Sequence, residues 1–515
     1  MTRIGIFTLI GLLGFLSASG CNLLQVEATS IATSPPITAA HIDPLPAAER
    51  TLNPIEQPPT QTSSTPEPCQ TDGEYPRTRH IVVADIHYPS HSVGVLQRVF
   101  FTNYTGTELA SLVFNVEPNR LAGAFHLNAI ESGQSGLTYA FNRQRLEVTL
   151  PETLHPGCEV VVTLSYRLEV PAVGEGASAS RGFFGYTERQ FNLGHWLASV
   201  AVFAAEEWIT RDASAIGEQD VLERADWEVA VNLIDPPPNL TIAAPGFVSQ
   251  INGNTWRYAH ENSRDFSMSL SDKFLMLSAE PAPGVMVELY TFPNAHKNNA
   301  ADHALAMATR SLLMFSDLFG DYPYDRLLIV QGDFPDGMEL SGLVFVGNRW
   351  FQQYTGDPAS YLTLITVHEI SHQWWYARVG NDSALTPWLD EALATYSEYI
   401  FLEEYYPDLK DWWWLFRVDQ YTPTGSVDST VYQFGYVRDY INAVYLRGAR
   451  MMHQLREDLG REAFFQFLAD YAEAGTGKIA TPELFWSLLS PGQLEQTQPT
   501  RDEYFQQPLV ESGNG

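Results

Sequence analysis

The chain has 515 residues, of which 45% are hydrophobic and 12% aromatic, enough to bury sizeable cores and more than one domain usually holds. Against 61 acidic residues stand only 30 basic ones, for a formal net charge of -31, and no basic run is present that could neutralise phosphates, so nucleic acid is excluded as a partner. The acidic excess reads as a solvated surface, and three cysteines are too few for a disulfide scaffold.

Arg3 precedes an apolar run from Ile4 to Leu16, which has the length of a signal peptide and is too short to span a bilayer as a helix. The segment Leu16-Ser17-Ala18-Ser19-Gly20-Cys21 resembles a bacterial lipoprotein processing site, where small residues precede a cysteine that becomes lipid-modified; Ala18 stands where leucine is most usual. Residues 1–21 are therefore expected to be a signal peptide, with a lipid on Cys21 anchoring an exported chain to the bacterial cell membrane. The alternative is ordinary secretion with Cys21 left as a thiol. Residues 22–75 are rich in Pro, Ser and Thr, a composition that cannot bury enough surface to fold, and are expected to be a disordered tether. With Cys21 acylated, Cys69 and Cys158 remain as a pair that an oxidising compartment allows to join.

From 76 to 275 the pattern has period two. Val160, Val162, Leu164, Tyr166, Leu168 and Val170 alternate with residues that include Thr163, Ser165, Arg167 and Glu169, and the same rhythm returns at Leu146, Val148 and Leu150 and at Trp227, Val229, Val231 and Leu233. Such strands, separated by Gly, Pro and Asn clusters, predict an all-β domain of sandwich or saddle shape. His80, His87 and His91 fall close together here, but without a carboxylate cluster they are expected to be surface or turn residues and no metal site.

After residue 300 the period becomes helical. Leu305, Leu312, Phe315 and Phe319 form a stripe that stops at Gly320, and Leu327 to Val330 predict a short buried strand. Residues 361–377 then carry Val367-His368-Glu369-Ile370-Ser371-His372 with no Gly or Pro to interrupt a helix. Positions four apart share a face, so His368 and His372 can offer two imidazole nitrogens to one ion, while Glu369, one step round, faces the nucleophilic water. A catalytic zinc site needs a third protein ligand. The next helix begins after Pro387, and its Glu391 follows His372 by nineteen positions.

His368-Glu369-x-x-His372 with Glu391 in a Trp-Leu-Asp-Glu-Ala context resembles the aminopeptidase N family of gluzincin metallopeptidases. The family's Asn-Glu-Gly around the third ligand is here Asp390-Glu391-Ala392. Phe334-Pro335-Asp336-Gly337-Met338-Glu339-Leu340 resembles the family's Gly-x-Met-Glu-Asn signature, with Leu340 in place of the asparagine. Tyr445-Leu446-Arg447-Gly448 is similar to its Tyr-x-Lys-Gly segment, with Arg447 for lysine.

The resemblance implies one zinc ion held by His368, His372 and Glu391, with Glu369 as general base and Tyr445 as donor to the transition state. It also implies peptide binding by Gly337, Met338 and Glu339, the glutamate holding the substrate's amino group, and a supporting carboxylate at Glu398. It covers about 78–490, and so implies a thermolysin-like α+β, mainly helical catalytic domain at 276–490 behind the β domain. Residues 491–515 are expected to be a polar tail, in a short form without the family's large helical C-terminal domain. Removal of N-terminal residues from peptides is favoured over endopeptidase action and over a catalytically silent peptide-binding protein. Exopeptidase specificity in the family also needs a second amine-holding residue from the β domain, yet Phe191-Asn192-Leu193-Gly194-His195-Trp196 offers no Gln or Glu. Trp412-Trp413-Trp414 receives no role.

Overall fold

The structure, a computed structural model, describes residues 69, 75–174, 182–335 and 337–506. The expected signal peptide and Cys21 lie outside the described residues, as do all of the expected tether except Cys69 and Tyr75, and residues 507–515. Cys69 and Cys158 are joined as a disulfide across 89 positions of sequence.

Inside an eight-stranded sheet, Arg79–His87 runs parallel to Ala225–Ile234 and antiparallel to Ser92–Thr102. Alternation buries Val82, Ala84 and Ile86, which share one core with Val99, Val162 and Leu164 of neighbouring strands. Leu112, Phe114, Leu146 and Val148, from a four-stranded sheet containing Leu109–Asn115 and Arg145–Leu154, complete it. Two sheets with alternating faces thus bury one apolar layer between them. The same alternation corrects the reading of His80. It falls on the inward side of its strand, 1% exposed, stacked on Trp227 at 4.0 Å and hydrogen-bonded to Gln97, and burial pulls its pKa down to about 3. His91 stacks on Tyr186 at 3.5 Å and His87 is exposed, so the three histidines do not converge on an ion.

A five-stranded sheet joins this layer to the helices. Its order is Leu275–Ala282, Val285–Thr291, Arg326–Gly332, Leu343–Gly347 and, at the edge, Gly337–Leu340. Leu328, Val330, Leu343 and Phe345 face the core of the β domain, whereas Leu327, Ile329, Val344 and Val346 face the helical core. Apolar residues on both faces explain the continuous hydrophobic run at 327–330. The edge strand keeps one row of backbone groups unpaired within the sheet, as a sheet edge must.

Three helices frame the site. The first, α1 (Ala300–Phe319), buries Ala304, Met307, Ala308, Leu312, Phe315 and Phe319 and stops at Gly320, whose φ of +94° suits glycine. The second, α2 (Tyr361–Ser371), starts at Ser360, whose Oγ accepts from Thr363 N at 3.5 Å. From Leu362 to Ser371 every residue of α2 is buried, because α1, the edge strand and the third helix, α3 (Trp388–Tyr405), all pack on it. The segment expected to be a polar tail begins with two short helices, Pro491–Gln496 and Gln498–Tyr504. A capping box between Ser490 and Gln493 starts the first, and Tyr504 is buried in the helical core.

Candidate metal centre and active site

The i, i+4 spacing on α2 brings His368 and His372 to one face, with ring centroids 4.9 Å apart. Immediately after His372 the helix widens, with Ala377 N bonded to His372 O and Val379 N to Trp374 O, and the backbone kinks at Trp375. Such wide turns re-aim groups at functional sites. Here the Trp375 carbonyl turns toward His372 Nδ1 at 3.3 Å. On the other histidine, Nδ1 lies 3.0 Å from Glu398 Oε1. Both Nδ1 atoms are engaged on the outward side, which leaves both Nε2 atoms turned toward the same point.

Glu391 enters from the first turn of α3, its backbone N–H donating to Asp390 Oδ1 at 2.7 Å. Its Oε2 lies 3.2 Å from His368 Nε2 and 3.6 Å from His372 Nε2. Burial pushes the His368 imidazole down, but the bonds to Glu391 and Glu398 more than reverse this and raise it to about 10. Burial likewise pushes Glu391 up, and the two histidines overturn it and hold its carboxyl well below the usual range. Two imidazole nitrogens and a carboxylate oxygen turned toward one another in this way form a group that could hold a cation.

Glu398, seven positions beyond Glu391 on α3, is fully buried and charged, so its partners matter. Arg417 donates Nε to Oε2 at 2.9 Å and Nη2 to Oε1 at 3.0 Å, and Trp413 Nε1 donates to Oε2 at 3.1 Å. Stranding a buried charge by removing its partner typically costs roughly 3–5 kcal/mol, so these groups hold His368 as one unit. Trp413 therefore has a role that the sequence did not reveal, and so does Arg417.

Glu369 faces the edge strand. A Cβ added at Gly337 would overlap the Glu369 carboxylate, so glycine there makes room for the base. Met338 is buried beside it in the β-domain core. Leu340, in the place of the family's asparagine, has a buried side chain, and its carbonyl accepts from Gln373 Nε2 at 3.0 Å. Glu339 is only 9% exposed and lies with Glu369 and His372 in one cluster of ligand atoms within 4.8 Å of one another.

A second such cluster joins Glu339 and Glu391 to Glu218, which comes from an irregular loop of the β domain. Burial, followed by Glu391, Asp390 and Asp220, raises Glu218 to about 8, and burial raises Glu339 well above the ordinary value as well. Glu218 is thus a β-domain carboxylate at the site that comes from outside the Phe191–Trp196 segment. Its loop has neither helical nor strand periodicity, and only a Gly-Glu-Gln string marked it.

Tyr445 reaches the site from a wide helical segment, Ile441–Arg447, and donates its hydroxyl to Glu391 Oε1. Its ring lies parallel to that of His368, with centroids 6.0 Å apart. A Cβ on Gly448 would sit 2.5 Å from Ala392 Cβ, so glycine lets the tyrosine's helix approach α3. Arg447 points elsewhere, toward the Glu503 carbonyl and the Tyr504 ring, and fastens the last helix.

The donor set fits zinc. Two neutral imidazole nitrogens and one carboxylate oxygen, each residue more than nine-tenths buried and the three atoms mutually within 4.8 Å, are the borderline ligands that this ion takes in catalytic sites. Among the described residues every cluster of three potential ligands contains His372 or Glu391, so all of them belong to this one site.

Two histidines on one helix, a glutamate from the next, and a carboxylate beside the first ligand define a gluzincin metallopeptidase centre. Residues 303–499 match the peptidase family M1 domain, in line with the resemblance to the aminopeptidase N family. The chain is 26% identical over 237 residues to aminopeptidase M1-A of Oryza sativa subsp. japonica, covering 43% of this chain and 27% of that protein. Endoplasmic reticulum aminopeptidase 2 of Homo sapiens is 30% identical over 240 residues, 43% of this chain and 24% of that protein. The aligned region thus spans about a quarter of the length of these relatives. In fold, the chain is similar to an M1 zinc metallopeptidase from Deinococcus radiodurans, with a TM-score of 0.59 at 18% identity over 85% of this chain and 97% of that one. A two-domain M1 zinc metallopeptidase mutant bound to L-tryptophan gives a TM-score of 0.61 at 18% identity, over 85% of this chain and 96% of that one. The β domain followed by a helical catalytic region is the two-domain architecture of those structures.

Proposed function

We propose that the protein is a zinc aminopeptidase, using one ion, that removes N-terminal residues from peptides outside the cytoplasm. The observation that carries this reading is the convergence of Glu218 and Glu339 beside Glu391. Two carboxylates in a mostly buried recess repel one another until a cation arrives, and a peptide's terminal ammonium brings the charge and three N–H donors. The amine of a peptide is separated from its first carbonyl carbon by a single Cα. An ammonium held within one carboxylate's reach of the metal ligands therefore presents the first peptide bond, and no later one, to the centre.

When bound, zinc supplies Lewis acidity, polarising a carbonyl and making water acidic enough to ionise near neutral pH. The chain's residues do the rest. Glu369, on the face of α2 turned to the edge strand, accepts the proton of the attacking water and returns it to the leaving amine. Backbone groups of Gly337–Leu340 offer a sheet edge along which an extended peptide adds as a strand. Tyr445 exchanges its bond to Glu391 for one to the oxygen on which charge develops.

Aminoacyl fluorogenic substrates set beside N-acetylated peptides, with and without a zinc chelator, test the reading. Cleavage is expected only of free amino termini and is expected to vanish with chelator. Glu218→Ala is expected to raise KM for free-amine substrates by roughly tenfold or more, as loss of a charged contact in a buried site does. Equal cleavage of blocked and free peptides would make the enzyme an endopeptidase.

The same proposal holds the enzyme at the bacterial cell membrane through a lipid on Cys21. It is supported by the apolar run Ile4–Leu16, by the small residues before Cys21, and by the Cys69–Cys158 disulfide, which suits an oxidising compartment. No helix of the described residues is long and apolar enough to cross a membrane. Fatty-acid labelling of the full chain, abolished in Cys21→Ser, is the expected result; label retained in Cys21→Ser would refute the anchor.

A further inference from the structure

Glu218 sits between Ile209 and Ala225 in a stretch without helix or strand, so no backbone ladder fixes where its carboxylate points. Side chains fix it instead. Gln219, 5% exposed, folds back beneath the loop. Its Nε2 donates to the carbonyls of Ile216 and Gly217, while its Oε1 accepts from Ser214 N at 3.1 Å. That same Oε1 accepts from Arg120 Nη1 at 2.7 Å.

Arg120 belongs to the body of the β domain and is itself held twice, by Glu117 at 2.9 Å and by the Arg211 carbonyl at 3.2 Å. One residue after Gln219, the Asp220 carbonyl accepts from Ser383 N at 3.3 Å. Gly217, with φ of +64°, lies so close to the stretch before Ile441–Arg447 that a Cβ there would sit 2.7 Å from Val431 Cγ1 and 2.9 Å from the Tyr440 hydroxyl. Glu218 is thus carried on a strap pinned on one side by Arg120 through Gln219 and on the other by the catalytic domain.

We propose that Arg120 and Gln219 are positioning residues for recognition of the substrate's free amino terminus. They hold the Glu218 carboxylate opposite Glu339, and through it they set the preference of the enzyme for free over blocked peptides. The inference rests on the reading of Glu218 and Glu339 as the amine-binding pair. The residues that would hold the ion are His368, His372 and Glu391, so loss of Arg120 or Gln219 is expected to act on substrate binding and not on the metal.

The test uses the full chain carrying Arg120→Ala, Arg120→Lys, Gln219→Met or Glu218→Gln, with kcat and KM measured on an aminoacyl fluorogenic substrate beside zinc content and Tm. Arg120→Ala and Gln219→Met are each expected to raise KM about tenfold while kcat stays within about threefold, the mark of a lost ground-state contact. Arg120→Lys is expected to recover part of the loss, and combining Arg120→Ala with Gln219→Met is expected to raise KM no further than the worse of the two singles, because both act through one bond. Zinc content stays at the wild-type value. Unchanged KM in both Arg120→Ala and Gln219→Met overturns the inference, and so does a fall in kcat that tracks a loss of zinc or of Tm. Should Arg120→Ala fail to fold, Gln219→Met carries the test alone. If Glu218→Gln leaves KM unchanged, the amine reading itself is wrong; if Glu218→Gln raises KM and the other two do not, only the positioning role fails.

Discussion

Glu369→Gln is expected to retain a full complement of zinc and to lose peptidase activity by at least roughly a hundredfold, the scale of a positioned general base. Gln is close to Glu in shape, so the space that Gly337 leaves beside residue 369 stays filled and the edge strand keeps its place. His368, His372 and Glu391 are untouched, as are the bonds that aim them, from Glu398 and from the Trp375 carbonyl. An amide cannot accept the proton that a carboxylate takes from water, so the loss falls on kcat. Zinc content by elemental analysis beside turnover on an aminoacyl substrate decides it: a Glu369→Gln enzyme as active as the parent would refute the mechanism.

Tyr445→Phe is expected to lower kcat by roughly a hundred- to a thousandfold, the typical cost of one donor to a developing oxyanion. KM should change little, because the hydroxyl bonds to Glu391 in the free protein and turns to substrate only as charge builds. The ring keeps its place parallel to His368 and against Tyr440, so the variant folds and binds zinc. Full turnover in Tyr445→Phe would assign the oxyanion to another group, and a change confined to KM would make the tyrosine a substrate contact only.

Much of the centre is local chemistry. Two histidines and a glutamate within five consecutive positions share their geometry through one helical turn, and Glu391 follows in the first turn of α3. The alternating strands of the β domain were legible for the same reason, since period two is a property of neighbours. His80 was misread because its neighbours say which face it takes but not that Trp227, 147 positions away, stacks on it. Trp413 and Arg417 carried no signal either: a tryptophan in a run of three and a lone arginine become partners of Glu398 only when their segment folds back on α3.

By itself, the sequence determined that His368, Glu369 and His372 share one helix, that Glu391 falls on a later one, and that alternating strands precede the helical region, because each is written in spacing that a single element satisfies. Only the tertiary structure decided that Glu218 completes a pair with Glu339 and that Arg120 and Gln219 hold it there. An irregular loop has no period to read, and its side chains acquire direction from the two domains that close on it.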